Sequence, residues 1–133
     1  MWRLVKKHIL PLLLAVSLCL AFSVTAYARY INELVTTSEL TTSDGKAVMY
    51  SSVDSAADVT QIKITHNLQK KNGSSYTDVP GTTVTRTFSK CWGSMEDTVS
   101  YTGSGTYRVK MVCTVTSPRG TDKHTEYSNT VTR

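Results

Sequence analysis

Hydrophobic and polar positions alternate most clearly from Gly105 to Thr116. Tyr107, Val109, Met111, Cys113 and Val115 fall on one side, and Arg108, Lys110, Val112, Thr114 and Thr116 on the other. Successive strand side chains point to opposite faces, so the pattern predicts a long central strand with one face in a core. Ser117-Pro118-Arg119-Gly120 ends it with the composition of a type I turn. The same period runs from Val59 to Lys70, placing Ile62, Ile64, His66 and Leu68 together. Asn72-Gly73 then gives a strong hairpin signal, so the chain from Tyr76 is expected to pair back antiparallel. Between Tyr76 and Cys91 the pattern is less regular, because Pro80 cannot donate to a ladder. Beyond it, Val84 and Phe88 share a face with Arg86 between them, and Thr83, Thr85 and Thr87 form a hydroxyl row on the other. Shorter strands are predicted over Ser38–Thr42, Lys46–Val53, Asp97–Thr102 and Thr121–Thr132, with Asp44-Gly45 as a turn and Cys91-Trp92-Gly93-Ser94 as a loop. Seven short strands separated by turns read as an antiparallel sandwich.

The first residues belong to another pattern. Arg3, Lys6 and Lys7 precede an apolar run from Ile9 to Val24, and Ala26-Tyr27-Ala28 follows. A basic start, an apolar middle and a small-x-small end predict a signal peptide over 1–28, cleaved after Ala28. The run contains Pro11 and Ser17 and is shorter than the ~20 residues a spanning helix needs, which disfavours a membrane anchor. Leu18 before Cys19 disfavours a lipoprotein site. Residues 29–37 are expected to form an irregular lead-in and 38–133 the domain.

Removing the leader changes the charge. The whole chain carries fifteen basic and ten acidic residues, a formal net charge of +5. Three basic residues leave with the signal, so twelve remain against ten, a net of +2. That balance gives no electrostatic case for nucleic acid or an anionic membrane. Cys91 and Cys113 remain, too few for a disulfide framework or a structural zinc site. Export leaves one disulfide between them open. A bridge wants Cα atoms within about 7 Å, whereas strands separated by a third lie about 10 Å apart.

Candidate chemistry is sparse. His66 shares an apolar face, which would shift its pKa, but no partner is legible and the expectation is a histidine at the core margin. His124 is expected on a solvated edge. No His-x-x-x-His or Gly-x-Ser-x-Gly pattern occurs in the domain. Glu96-Asp97 is expected to be a pair of solvated charges, since strand neighbours point apart. Trp92 and Tyr76 are the better candidates, because a loop aromatic anchors protein or sugar surfaces. The competing expectation for Trp92 is an end plug under the sandwich. Asn72-Gly73-Ser74 matches a glycosylation sequon but is read as a turn.

Gly105-Thr106-Tyr107-Arg108-Val109-Lys110-Met111-Val112, the turn at Gly120, then Ser128 and Val131 resemble the last two strands of fibronectin type III and immunoglobulin-like domains. The resemblance implies that Tyr107 anchors a corner through its hydroxyl. Val109 stands where immunoglobulin domains carry a cysteine, so their inter-sheet disulfide does not transfer. The signal peptide, Asp44-Gly45-Lys46-Ala47, Lys63-Ile64 through Leu68-Gln69-Lys70-Lys71, and Gly105 through Lys110 are similar to a family of small secreted proteins of anaerobic Gram-positive bacteria. That resemblance implies export and transfers no functional residue. The expected protein is all-β, a seven-stranded antiparallel immunoglobulin-like sandwich after a signal peptide. It is secreted, monomeric, non-catalytic and free of cofactors, and its partner is an extracellular protein or carbohydrate. A small secreted effector is the alternative, and a hydrolase the least favoured.

Overall fold

The alternating stretches form strands. The structure is a computed structural model that describes residues 31–133, and Asn32–Arg133 makes up one unit; the predicted signal peptide lies outside the described residues. The strands are β1 (Val35–Ser43), β2 (Lys46–Asp54), β3 (Gln61–Asn72), β4 (Ser75–Asp78), β5 (Val84–Phe88), β6 (Trp92–Ser100), β7 (Thr106–Ser117), β8 (Gly120–Tyr127) and β9 (Val131–Thr132). One sheet has the order β1-β2-β6 and the other β4-β3-β7-β8, with β5 also on β3 and β9 also on β7. All pairings are antiparallel. β4 and β5 are one edge strand broken around Pro80, and β8 and β9 together form the opposite edge. The nine segments thus fill the seven strand positions of an immunoglobulin-like sandwich.

Turn chemistry sets the register. Asp44 and Gly45 both take positive φ, 49° and 75°, as a two-residue type I′ hairpin requires. In the next hairpin Asn72 still pairs with Ser75, so Gly73-Ser74 form the turn.

The core follows the faces. Tyr107, Val109, Met111, Cys113 and Val115 of β7 are buried, as are Ile62, Ile64, His66 and Leu68 of β3. They pack against Val53 and Met95 in one cluster and Leu40, Ala47 and Met49 in the other. The Tyr107 hydroxyl reaches the carbonyls of Thr102 (3.1 Å) and Gly103 (3.0 Å), so it anchors the corner before its own strand.

Two stretches differ from expectation. From Asn32 onward the lead-in is ordered: β1 starts at Val35, and Asn32 is fully buried, donating its backbone N–H to Asp122 Oδ2 at 2.7 Å. An amide that caps the interior this way holds the segment against the sheet. Within the predicted Cys91–Ser94 loop, Trp92, Gly93 and Ser94 instead start β6, with Gly93 opposite Val53 and Trp92 opposite Asp54. Gly93 belongs to a strand because the Phe88 ring lies over it; an added Cβ would sit 2.5 Å from Phe88 Cδ2. Close approach by another group is a known use of a strand glycine.

Side chains close both open edges of the sandwich. The Asn129 amide donates to Leu40 O (3.0 Å) and accepts from Leu40 N–H (2.9 Å), imitating a strand partner for β1. Thr36 donates to Glu126 at 2.9 Å and Arg133 Nε to Thr42 at 2.7 Å along the same seam. Across the other edge, Arg86 of β5 forms a two-pronged ion pair with Asp97 of β6, at 2.6 and 2.7 Å.

Candidate functional site

Among the described residues, chemistry-bearing side chains build a network between the sheets and another on an outer face. Between the sheets, His66 of β3 meets Ser51 of β2 and Asp97 of β6. Its Nδ1 lies 2.8 Å from Ser51 Oγ and its Nε2 2.8 Å from Asp97 Oδ2. An ionised carboxylate only accepts, so the neutral imidazole carries its proton on Nε2, donates it to Asp97 and accepts from the Ser51 hydroxyl. The Arg86 guanidinium holds the Asp97 carboxyl below its usual range, with His66 adding to the effect. Burial pushes the His66 pKa down, against the pull of Asp97, while Arg86 adds to the depression.

Hydroxyl, imidazole and carboxylate in series are the components of a serine-hydrolase relay. Here Ser51 and His66 have no exposed surface, so no substrate carbonyl can reach the hydroxyl. The network is a cross-sheet polar tie. The partners of His66 lie 15 and 31 residues away on other strands, a juxtaposition that no local motif announces. Asp97, expected among solvated charges, is instead the hub joining His66 to Arg86.

On the outward face of the second sheet, Arg108 of β7 lies between two tyrosines. Its guanidinium carbon is 3.8 Å from the Tyr76 ring centre and 3.9 Å from that of Tyr127. Such cation–π contacts contribute about 0.5–1 kcal/mol each at exposed sites. Arg108 Nε donates to Gln69 Oε1 at 2.9 Å, and Gln69 Nε2 donates to Asp78 Oδ1 at 2.9 Å. Asp78 Oδ1 also accepts from Asn67 Nδ2 at 2.9 Å. These bonds from Gln69 and Asn67 hold the Asp78 pKa below its ordinary value. Asn67 and Gln69 are buried under this network although their strand positions face outward. Tyr76 therefore belongs to a built cluster, together with Arg108 and Tyr127, which sequence reasoning passed over. Register carries the missing signal: Arg108 opposes Gln69, Gln69 opposes Asp78, and Lys71 opposes Tyr76.

Trp92 sits elsewhere. It lies on the outward side of β6, in the other sheet, 51% exposed, with Lys90 Nζ 3.7 Å from its ring centre. It is not an end plug, and it shares no surface with Tyr76. In the hydroxyl row, Thr85 and Thr87 face outward opposite Thr65 and Lys63, and Thr85 bonds to Thr65 at 2.9 Å. His124 is half-buried and 3.0 Å from Glu126.

Cys91 and Cys113 are free thiols. Cys113 is fully buried in mid-β7 opposite Ile64 and His124, and burial pushes its thiol pKa up to about 11. Cys91 packs at the margin of the same cluster. After Cys91 the chain crosses into the other sheet and pairs with β2. Among the described residues no group of His, Cys, Asp or Glu could hold a metal ion.

No protein-family model matches the chain, and no curated protein matches it. Among solved structures, the crystal structure of OgpA from Akkermansia muciniphila is similar at a TM-score of 0.41 and 8% identity, over 78% of this chain. The chain spans 31% of the length of that protein. The likeness is too slight to carry over any property.

Proposed function

We propose that this protein is a secreted, non-catalytic binding module that engages an extracellular protein or carbohydrate through the outward face of the β4-β3-β7-β8 sheet. The observation that carries the reading is the Tyr76–Arg108–Tyr127 stack. Two aromatic rings and a guanidinium, ordered in advance by Gln69 and Asp78, lose little conformational freedom when a partner docks. Tyr and Arg are also the residues that dominate binding energy at interfaces. Catalysis is not supported, because the Ser51 hydroxyl and the His66 imidazole that adjoin Asp97 are buried in the core. The leader pattern over 1–28 supports export.

Labelled protein applied to arrays of glycans and extracellular proteins tests this. Partners are expected whose signal falls about tenfold or more when Tyr76 and Tyr127 are both changed to Ala, with Trp92→Ala as the control on the opposite face. The reading is overturned by arrays with no partner, or by partners indifferent to the tyrosine pair.

A further inference from the structure

The fixed guanidinium has an unused edge. Both π faces of Arg108 are covered by tyrosines and its Nε is committed to Gln69. Among the described residues, no acceptor meets its Nη1 or Nη2. A guanidinium held in one orientation with its two terminal nitrogens open is set for two-pronged bonding to a carboxylate or sulfate.

The charge around it agrees. This outward face carries Lys63, Lys71, Arg108, Lys110 and Lys123 against one carboxylate, Asp78. Asp78 is already engaged by Asn67 and Gln69. Lys71 lies opposite Tyr76 and Lys110 opposite Tyr127, so a cation flanks the stack on each side. The outward face of the other sheet leans the other way, with Glu39, Asp54 and Glu96 against Lys46 and the Lys90 that covers Trp92. A net charge of +2 over the mature chain hides this division.

The rest of the basic face is hydroxyl-rich. Thr65 bonds to Thr85 and Thr116 to Thr121, and Thr87, Thr114 and Thr125 stand between the cations. Val112 is the lone aliphatic on the outward side of β7, and it is half-buried. Protein partners favour a broad apolar centre, and beyond the tyrosine pair this face offers only Val112. A polyhydroxylated, negatively charged chain suits it.

We infer that this face binds an acidic polysaccharide, with a carboxylate or sulfate of the chain seated on Arg108 Nη1 and Nη2. The inference rests on the binding-module reading and adds the ligand class. Lys71 and Lys110 take neighbouring anionic groups. Gln69 is a positioning residue that holds the guanidinium edge-on.

The test measures binding of the purified full chain to immobilised polygalacturonate, dextran sulfate, neutral dextran and poly-glutamate. Expected is retention on polygalacturonate or dextran sulfate, falling steeply between low and physiological salt, with none on dextran. Whether carboxylate or sulfate is the natural group is read from which of the two polymers binds tighter. Arg108→Lys keeps the charge but loses the planar fork, so a loss of about tenfold is expected. Lys46→Gln, on the opposite face, should change nothing. If near-ultraviolet circular dichroism shows Arg108→Lys misfolded, Lys110→Gln serves instead, with a loss of about threefold expected. The inference is overturned by equal binding to dextran, by acidic-polymer binding that Arg108→Lys leaves intact, by an equal loss in Lys46→Gln, or by poly-glutamate outcompeting both polysaccharides. Retention on dextran alone would remove the anion site and leave the binding-module reading standing. A chain that ignores all four polymers and every array partner removes both.

Discussion

At single positions, two residues carry more than their type suggests. Gly93 gives up a Cβ so that Phe88 can lie across β6. Gly93→Ala should therefore destabilise by about 1–3 kcal/mol through overpacking, read as a lower denaturation midpoint with unchanged slope. His66 is held neutral by burial, with a folded pKa below the ordinary 6.5. Below pH 6.5 the unfolded chain then binds a proton that the folded one resists, so stability is full above that pH and falls as pH drops through it. The carboxylates of Asp97 and Asp78 have pKa values lowered from 3.8, so their contribution is lost only in a separate, more acidic window. The melting temperature is expected to fall from pH 7.5 to 5.5 in the natural protein and to stay nearly flat in His66→Gln. Parallel slopes in the two proteins would contradict the assignment. The burial of His66 was legible, since it shares a face with Ile62, Ile64 and Leu68. Its partners were not, because Ser51 and Asp97 come to it from the opposite sheet.

At the scale of the strand, β7 separates core from surface along one line of residues. Met111→Asp places an uncompensated charge among Ile62, Ile64 and Val115, at a cost of several kcal/mol against a total of roughly 5–15. Lys110→Asp on the other face should leave the fold standing. Urea denaturation decides this: no folded baseline is expected for the first, and a midpoint near the natural one for the second. β3 and β7 were plain in the sequence because long, half-buried strands keep a strict period of two. β6 was not plain at its start, where Cys-Trp-Gly-Ser has turn composition and only the pairing with Val53 and Asp54 makes it a strand. β1 begins three residues before the predicted Ser38 for a similar reason, since Val35-Thr36-Thr37 pairs with Asp54, Val53 and Ser52 across the hairpin without an alternation of its own. The Arg108 stack went unread because it needs β4, β3, β7 and β8 in register, which a strand-by-strand reading does not supply.

For the molecule as a whole, location and redox state make two separate measurements. Export with cleavage after Ala28 predicts an intact mass from culture supernatant that begins at Arg29. A secreted species retaining Leu12 to Val24 would contradict it. Thiol titration after denaturation should give two free thiols per chain, matching the separate positions of Cys91 and Cys113. The closed seam between β1 and the opposite sheet has a consequence in time. Leu40 and Asn129 are 89 residues apart, and Thr42 and Arg133 are 91 apart. Contacts so distant along the chain are costly to form early, so the seam should zip after β3 and β7 have paired. Until then the outer edge of β1 is an unpaired template, and a second folding chain can occupy it. Asn129→Ala removes a latch formed after the rate-limiting step. It is expected to hasten unfolding several-fold, leave the refolding rate nearly unchanged, and lower the protein concentration at which refolding gives way to aggregation.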